Sequence, residues 1–190
     1  MINTFEENET FDKIDFKIDP LKKGTYENCT FNNCDFSNSN LSEFKFDECD
    51  FFECNFSMAK LNQTVFRSVN FKDCKMLGLR FDDCNTFGLT FNFENCTLNH
   101  SSFYKLKIKQ TRFVNCSLVE VDFIESDLTQ ASFPKCDFKN AAFERTVLEK
   151  ADFRTAVNYS FDPELNKIKK AKFLGADVVR LLDKFQIEIQ

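Results

Sequence analysis

Nine cysteines and one histidine are the side chains of this sequence best suited to bind a metal or to act as nucleophiles. The closest cysteines, such as Cys29 and Cys34, have four residues between them, whereas common zinc sites use pairs with two. The single histidine, His100, offers little to complete a site. The spacing therefore indicates packing. We expect buried structural thiols, a surface His100, no metal and no cofactor.

Motifs for catalysis are missing from the sequence as well. It has no phosphate-binding glycine loop, no HExxH and no G-x-S-x-G. Carboxylates are abundant, but on a rod-shaped fold they point outward from a convex surface, whereas catalysis normally uses a concave pocket. We therefore expect a binding protein and not an enzyme.

A period of five residues positions all of these side chains. Large apolar residues recur every five residues from Phe11 to Phe91, interrupted by Thr86, and after two inserted residues the series runs from Leu98 to Phe153. The residues two positions before these centres are mostly small or medium-sized, and all nine cysteines are among them. This period fits neither a helix nor a simple strand, so the chain must turn within each unit. The pattern predicts stacked coils with a narrow, filled core.

Cys34, Cys54 and Cys74 recur every 20 residues, which is four units of five. The spacing therefore predicts four units in each coil. The same spacing, allowing for the insertion, predicts a column of eight phenylalanines. They are Phe11, Phe31, Phe51, Phe71, Phe91, Phe113, Phe133 and Phe153. The insertion itself predicts a two-residue irregularity near residues 92–97.

Segments such as residues 29–36 and 151–154 resemble the pentapeptide-repeat family, which places a small residue and then Leu or Phe at two inward positions. The resemblance covers about residues 11–158. It implies an all-β fold, a right-handed quadrilateral β-helix of about seven coils and roughly 35 Å in length. Residues 1–10 would form an N-terminal lead-in, and residues 159–190 a short C-terminal cap with a helix and a strand.

Within the family the chain is most similar to the quinolone-resistance (Qnr-type) branch, because a short C-terminal module follows the repeats. A polar excursion over residues 158–170 precedes Ala171 and Phe173, which predict one last, partly looped-out coil. Apolar residues then recur at helical intervals and finally alternate as in a strand. The resemblance implies that this module joins two rods tail to tail as a homodimer. The candidate dimerisation residues are Val178, Val179, Leu181, Leu182, Phe185, Ile187 and Ile189.

Qnr-type relatives bind type II DNA topoisomerases, so the resemblance implies a rod that mimics duplex DNA, binds DNA gyrase or topoisomerase IV and modulates quinolone susceptibility. The candidate acidic residues are Asp50, Glu53, Asp73, Asp82, Asp83, Asp122 and Glu125. Basic residues are interleaved with them, which favours the alternative of a scaffold with another partner. Exposed aromatic residues at Phe52, Phe87, Phe93 and Tyr104 would serve that alternative. Phe87 and Phe93 could equally pack at the irregular coil.

The net charge of −5 is divided unevenly, with −7 in residues 1–104 and +2 in residues 105–190. We do not expect a direct nucleic-acid partner, because phosphate contacts need a clustered basic surface. A short basic run at Lys105, Lys107, Lys109 and Arg112 keeps that alternative open. The N-terminus lacks the pattern of a secretory signal, and no apolar run could cross a bilayer. We expect a cytoplasmic protein without a membrane partner, whose cysteines stay reduced.

Overall fold

The computed structural model describes residues 4–188, which wind into stacked coils with four sides. Its strands are β1 (Thr4–Glu7), β2 (Thr10–Asp12), β3 (Gly24–Glu27), β4 (Thr30–Asn32), β5 (Lys45–Asp47), β6 (Asp50–Phe52), β7 (Val65–Arg67), β8 (Val69–Lys72), β9 (Phe91–Glu94) and β10 (Phe113–Val114). Two 3₁₀ helices are η1 (Phe81–Asp83) and η2 (Val178–Phe185). The right-handed four-sided β-helix predicted from the sequence is confirmed.

The four sides are numbered in the order in which the chain visits them. Face 1 is the parallel sheet β2-β4-β6-β8-β9-β10, centred on residues such as Phe51, and face 4 is the parallel sheet β1-β3-β5-β7, centred on residues such as Phe46. Faces 2 and 3, centred on residues such as Phe56 and Leu61, are joined between coils by isolated parallel bridges. Successive coils are therefore in register, and outward side chains form columns along the rod.

The core is a set of stacked side-chain columns. On face 1 nine phenylalanine rings lie one above another, with neighbouring centroids 4.7 to 5.4 Å apart. They are Phe11, Phe31, Phe51, Phe71, Phe93, Phe113, Phe133, Phe153 and Phe173. Rings of adjacent faces meet edge to face, as Phe51 and Phe56 do at 5.1 Å. Both arrangements are favoured by the aromatic quadrupole.

The corners use left-handed backbone at the residue two positions after each centre. Asn28 and Glu48, for example, have φ values of 50° and 53°. This conformation is costly for a residue with a Cβ, but each corner is held by the next coil, since the Asn28 N–H donates to the Asp47 carbonyl at 2.9 Å. Many residues just before a centre are Asp or Asn because their side chains close the turn. The Asp35 carboxylate accepts the Ser37 N–H at 2.7 Å.

The solenoid begins earlier than the sequence predicts. Residues 4–10 are not a lead-in, because β1 pairs in parallel with β3 along Thr4 to Glu7 and β2 begins at Thr10. The repeat is hidden here because Glu6 occupies the position that Tyr26 takes in the next coil. Backbone pairing between coils does not need an apolar centre, so a polar residue can be accommodated at the open end.

The two inserted residues also lie earlier than predicted. Asn85 still donates to the Thr64 carbonyl in the preceding coil at 2.9 Å, but β9 pairs Phe93 with Phe71 and Phe91 with Val69. The irregularity therefore precedes β9, and the position near residues 92–97 is wrong. Phe93 and not Phe91 joins the face 1 column. Both are phenylalanines at alternate positions, so spacing alone could not choose between them.

The last coil returns as the sequence predicts. Asp152 bridges to Lys172, and the Phe173 ring stacks on Phe153 at 5.4 Å. Residues 159–166 loop out before it, with Tyr159 and Phe161 buried at the end of the core. The predicted helix is the 3₁₀ helix η2, which ends at Gln186 with a left-handed φ of 49°. No strand follows over residues 186–188, where an alternating strand is predicted, and Ile189 and Gln190 lie outside the described residues.

Candidate binding surfaces

The cysteines are core residues. All nine thiols are buried and unpaired, which confirms the prediction from their spacing. The Cys49 S–H donates to the Tyr26 carbonyl of the preceding coil at 3.3 Å, and burial raises the pKa of Cys49 to about 12. Such a thiol is a poor nucleophile. His100 is exposed as predicted, with Nδ1 3.1 Å from a Glu120 carboxylate oxygen.

Metal binding finds no support in the geometry of residues 4–188. Within this range no group of three or more His, Cys, Asp or Glu side chains is placed to hold an ion. The outward surface of the rod is therefore where binding sites have to be sought.

The seven acidic residues singled out from the sequence do not form one surface. Three lie on or beside face 1, namely Asp50, Glu53 and Asp73. The other four lie on or beside face 3, on the opposite side of the rod, namely Asp82, Asp83, Asp122 and Glu125. Because columns repeat every 20 residues, acids close in sequence can be separated by two corners of the coil.

Two of the four face 3 acids, Asp82 and Glu125, are paired with neighbouring cations. Arg80 pairs with Asp82 at 2.6 Å, and Glu125 lies 3.0 Å from Arg145 and 3.5 Å from Lys105. The hydrogen bond from Arg145 and the positive charge of Lys105 hold the pKa of Glu125 below its ordinary value. Exposed pairs of this kind add little stability, but they lower the net charge of the face. Face 3 is therefore a poor mimic of an acidic polymer.

A more continuous acidic surface lies along face 1 and the two corners that flank it, in the coils up to residue 95. Ten carboxylates lie there against three cations, Lys13, Arg67 and Lys72. We name these ten residues the acidic edge: Glu7, Glu9, Asp12, Glu27, Asp47, Glu48, Asp50, Glu53, Asp73 and Glu94. Asp12, Asp47 and Glu94 have ion-pair partners, and the other seven have none among the described residues.

Sequence reasoning missed most of the acidic edge. Glu7, Glu27 and Asp47 stand directly above one another, as the strand register shows. A step of 20 residues along the acidic positions, the same step that aligned the cysteines, would have found this column. Asp50, Glu53 and Asp73 were found, and they belong to the same edge.

The same surface, face 1 with its two flanking corners, carries the opposite charge beyond residue 105. Eight exposed cations lie there against two acids, Glu149 and Asp152. We name the eight cations the basic edge: Lys109, Arg112, Lys135, Lys150, Arg154, Lys169, Lys170 and Lys172. Lys109 pairs with Asp127 at 3.2 Å and Arg154 with Asp152 at 2.7 Å, whereas the other six have no ion-pair partner among residues 4–188. Face 1 with its flanking corners is thus acidic at one end of the rod and basic at the other.

The irregular coil projects an aromatic side chain. Phe87 is 77% exposed, next to Gly88, whose φ of 72° turns the loop back toward β9. The Arg67 guanidinium lies 5.5 Å from the centre of the Phe87 ring. The prediction of an exposed Phe87 is confirmed, and its ring is available for a partner.

The other predicted aromatic contacts have mixed outcomes. Phe52 is 36% exposed on face 1, above a shallow groove of about 350 Å³ that reaches Val114. Tyr104 is partly exposed and lies under the Lys105 ammonium at 4.7 Å. Phe93 is 1% exposed, so its prediction as a surface contact is wrong and its alternative, packing at the irregular coil, is confirmed.

The C-terminal cap carries an apolar surface. Five of the candidate dimerisation residues are between 37% and 55% exposed: Val178, Val179, Leu182, Phe185 and Ile187. Leu181 is buried, and Ile189 lies outside the described residues. Lys184 anchors η2 to the preceding loop through Asp162 at 2.7 Å and Glu164 at 2.8 Å. Neither described helix is long and apolar enough to span a membrane.

Comparison with known proteins identifies the repeat. The family model described as a pentapeptide repeat region matches residues 25–92 and again residues 90–157. No curated protein matches the sequence.

Solved structures share the fold at low sequence identity. Full-length QnrB1, described as a plasmid-mediated fluoroquinolone resistance protein, is 18% identical, with a TM-score of 0.61, over 97% of this chain and 100% of that one. A trypsin-treated point variant of QnrB1 is 16% identical, with a TM-score of 0.63, over 99% and 98% of the two chains. HetL from the cyanobacterium Nostoc sp. strain PCC 7120, described as involved in heterocyst differentiation regulation, is 14% identical, with a TM-score of 0.56, over 90% and 84%.

Proposed function

Since this chain belongs to the pentapeptide-repeat family, we propose that it is a non-enzymatic cytoplasmic protein that binds a type II DNA topoisomerase, DNA gyrase or topoisomerase IV, as a mimic of duplex DNA. Binding of this kind would modulate quinolone susceptibility. The description of QnrB1 as a fluoroquinolone resistance protein supports that part of the proposal.

The acidic edge is the observation that carries the proposal. It runs over five coils, so at about 4.8 Å per coil it is roughly 19 Å long. Its ten carboxylates exceed its cations by seven, or about one net charge per 3 Å. A single strand of duplex DNA carries one charge per about 3.4 Å of helix axis. A basic surface that accepts a DNA strand could therefore accept this edge.

The C-terminal cap is the proposed dimer interface. Its five exposed apolar residues lie at the end of the rod, where a two-fold axis would bury the same patch of both subunits. A tail-to-tail dimer would place the two basic edges near its centre and the two acidic edges at its ends. Each end would then present a separate acidic surface to a partner.

A scaffold with a different partner is the second candidate. The exposed Phe87 favours it, because a projecting aromatic residue on a rigid coil is a typical contact residue. The reversal of charge along the rod favours it too, since uniform DNA mimicry would not need the basic edge.

A supercoiling and drug-protection assay with purified gyrase, across a salt series, tests the first candidate. We expect an effect at low salt that weakens steeply as salt rises, because the attraction is screened. The variant Glu27→Lys, Glu48→Lys, Glu53→Lys should lose at least about tenfold in potency, equivalent to about 1.4 kcal/mol of binding energy. The matched control Asp19→Lys, Glu120→Lys, Glu144→Lys changes the net charge equally on faces 2 and 3 and should retain the effect. If the parent protein had no effect on supercoiling or drug protection at low salt, topoisomerase binding would be excluded and the scaffold function would be the remaining candidate.

Light scattering tests the dimer separately. The parent protein should have twice the mass of one chain in high salt, where charge pairing is screened. Leu182→Asp should have the mass of one chain, because an unpaired carboxylate in a buried apolar contact is strongly unfavourable. Leu77→Asp, at an exposed leucine far from the cap, is the control and should remain dimeric. A parent protein that is monomeric at all concentrations would exclude this interface.

A further inference from the structure

The acidic edge and the basic edge are complementary surfaces of one chain. They occupy the same face of the rod with its flanking corners, their coils repeat at the same spacing, and their net charges are opposite. Seven carboxylates of one and six cations of the other have no ion-pair partner among residues 4–188. A single rigid rod cannot bring its own two edges together, so direct pairing between them requires a second molecule.

A second copy fits both edges at once if it lies antiparallel. A two-fold axis across face 1, passing through the coil of Glu94, places the acidic edge of each rod along the basic edge of the other. Counted in coils from that axis, Glu53 of one copy faces Lys135 of the other. The first coil, with Glu7 and Glu9, likewise faces the last, with Lys170.

Apolar contact is available near the same axis. Phe52 and Val114 line the face 1 groove of about 350 Å³ on either side of the axis. In the antiparallel arrangement Phe52 lies two coils from the axis and meets the second copy at the coil of Pro134. Both of these positions are partly or fully exposed in one rod.

The largest area available is comparable to that of a specific interface. Eight coil steps of about 4.8 Å give a length of roughly 38 Å, and six residues at about 3.3 Å each give a width of at most roughly 20 Å. The contact is then at most about 760 Å² per copy, close to the roughly 800 Å² of a standard protein interface.

We propose that two copies of this chain pair side by side and antiparallel along face 1 and its flanking corners, acidic edge against basic edge. This association is distinct from tail-to-tail pairing, which uses the cap. It covers the acidic edge, so it competes with any partner that binds there.

Charge inversion tests the pairing without altering the core. The acidic-edge variant is Glu27→Lys, Glu48→Lys, Glu53→Lys, and the basic-edge variant is Lys135→Glu, Lys150→Glu, Lys170→Glu. Five of these six positions have a positive φ, and both Glu and Lys occupy such positions elsewhere in the chain, so folding should be preserved. Circular dichroism of each variant checks this. The control Lys60→Glu, Lys75→Glu, Lys139→Glu inverts three unpaired cations on faces 2 and 3.

Sedimentation at low and at high salt is the measurement, made in the parent protein and in the Leu182→Asp background. In the Leu182→Asp background the mass at low salt should be twice the mass at high salt. In the parent, whose tail-to-tail dimer carries two separate copies of this surface, the mass should rise at least twofold. Each edge variant alone should keep its high-salt mass at low salt, because its altered edge loses most of its net charge and meets like charges at the altered positions. An equimolar mixture of the two edge variants should recover association, because the altered positions then meet opposite charges and the two unaltered edges pair, and the control should behave like the parent.

Three results would overturn the proposal: a parent mass independent of salt, edge variants that associate like the parent, or a mixture that fails to recover association. Binding of a short DNA or RNA duplex to the parent protein is measured as a further test of the basic edge. If the parent binds it at low salt through the basic edge while showing no salt-dependent mass, the basic edge is a nucleic-acid site and the second copy is not its partner.

Discussion

The two ends of the rod share one core but differ in their backbone and charge. Face 1 consists of strands up to residue 94 and face 4 up to Arg67, whereas beyond β10 the described residues of the same faces are joined by isolated bridges such as Asp127 with Val147. The acidic edge lies in the first region and the basic edge in the second. The apolar columns continue through both regions, so the core does not determine either difference.

The residue before each centre accounts for much of the backbone difference. Asp127 and Asp152 precede centres in the second region, and each accepts the N–H two residues ahead, from Thr129 at 3.1 Å and Arg154 at 3.2 Å. This local turn competes with strand geometry. Thr25 and Thr30 take the same position in β3 and β4, where β-branched residues favour strands.

Acidic and amide residues in the strands of face 1 form a different kind of bond. The Asn70 side chain donates to Asp50 in the preceding coil at 2.9 Å, and Asn92 donates to Asn70 at 3.3 Å. These ladders run along the rod instead of closing a turn. The same residue types therefore stabilise stacking in one region and turning in the other, according to where the side chain finds a partner.

The largest effect on stability is expected from removing a core ring. Comparing one such change in each region tests whether the two regions are equally well packed. Phe51→Ala and Phe133→Ala should each lower the free energy of unfolding by about 3–5 kcal/mol, because both rings are fully buried between stacked neighbours. Chemical denaturation measures this. Phe52→Ala, beside Phe51 but 36% exposed, is the control and should cost less than half as much. A cost at Phe133 below that of Phe52 would show that the core is not continuous.

A smaller effect is expected at the first coil, where strand pairing is tightest. A Cβ at position 24 would lie 2.2 Å from the Thr4 carbonyl oxygen, so Gly24→Ala should destabilise the protein by about 1–3 kcal/mol and separate β1 from β3. Hydrogen exchange of residues 4–7, with denaturation, measures both. Gly175→Ala has no atom within 4 Å of the new Cβ and should be neutral. Unchanged exchange in β1 would contradict the pairing described for the open end.

The turns of the second region should be sensitive to acid. The hydrogen bonds and charge of Arg154 hold the pKa of Asp152 below its ordinary value, against the effect of burial. The contribution of ionised Asp152 to the stability of the fold is therefore fully present above its pKa in the unfolded chain, near 3.9. It is lost as pH falls through its lower pKa in the folded protein. Asp152→Asn should cost less than about 1 kcal/mol at pH 7 and reduce the loss of Tm on acidification. Asp12→Asn, at an exposed acid outside such a turn, is the control. If it reduced the loss of Tm on acidification as much as Asp152→Asn does, the Asp152 turn would not be the cause of the acid sensitivity.

The smallest effect is expected at the boundary between the two regions. Phe87→Ala should change the free energy of unfolding by no more than about 0.5 kcal/mol, because the ring is exposed and its main contact is with Arg67. Leu89→Ala, two residues away but buried, is the matched comparison and should cost about 2–5 kcal/mol. A large cost at Phe87 would show that the loop packs on the rod and does not present a contact residue.

By itself the sequence determined the coil, its 20-residue length and the burial of the cysteines. Each follows from local spacing, because every inward side chain meets its equivalent in the adjacent coil. The start of the solenoid at Thr4, the choice of Phe93 over Phe91 and the split of the acidic residues between opposite faces were decided by the tertiary structure. The same holds for the edge that is acidic at one end and basic at the other. These features depend on hydrogen-bond register and on which side of a corner a residue lies, and composition or charge along the chain contains neither.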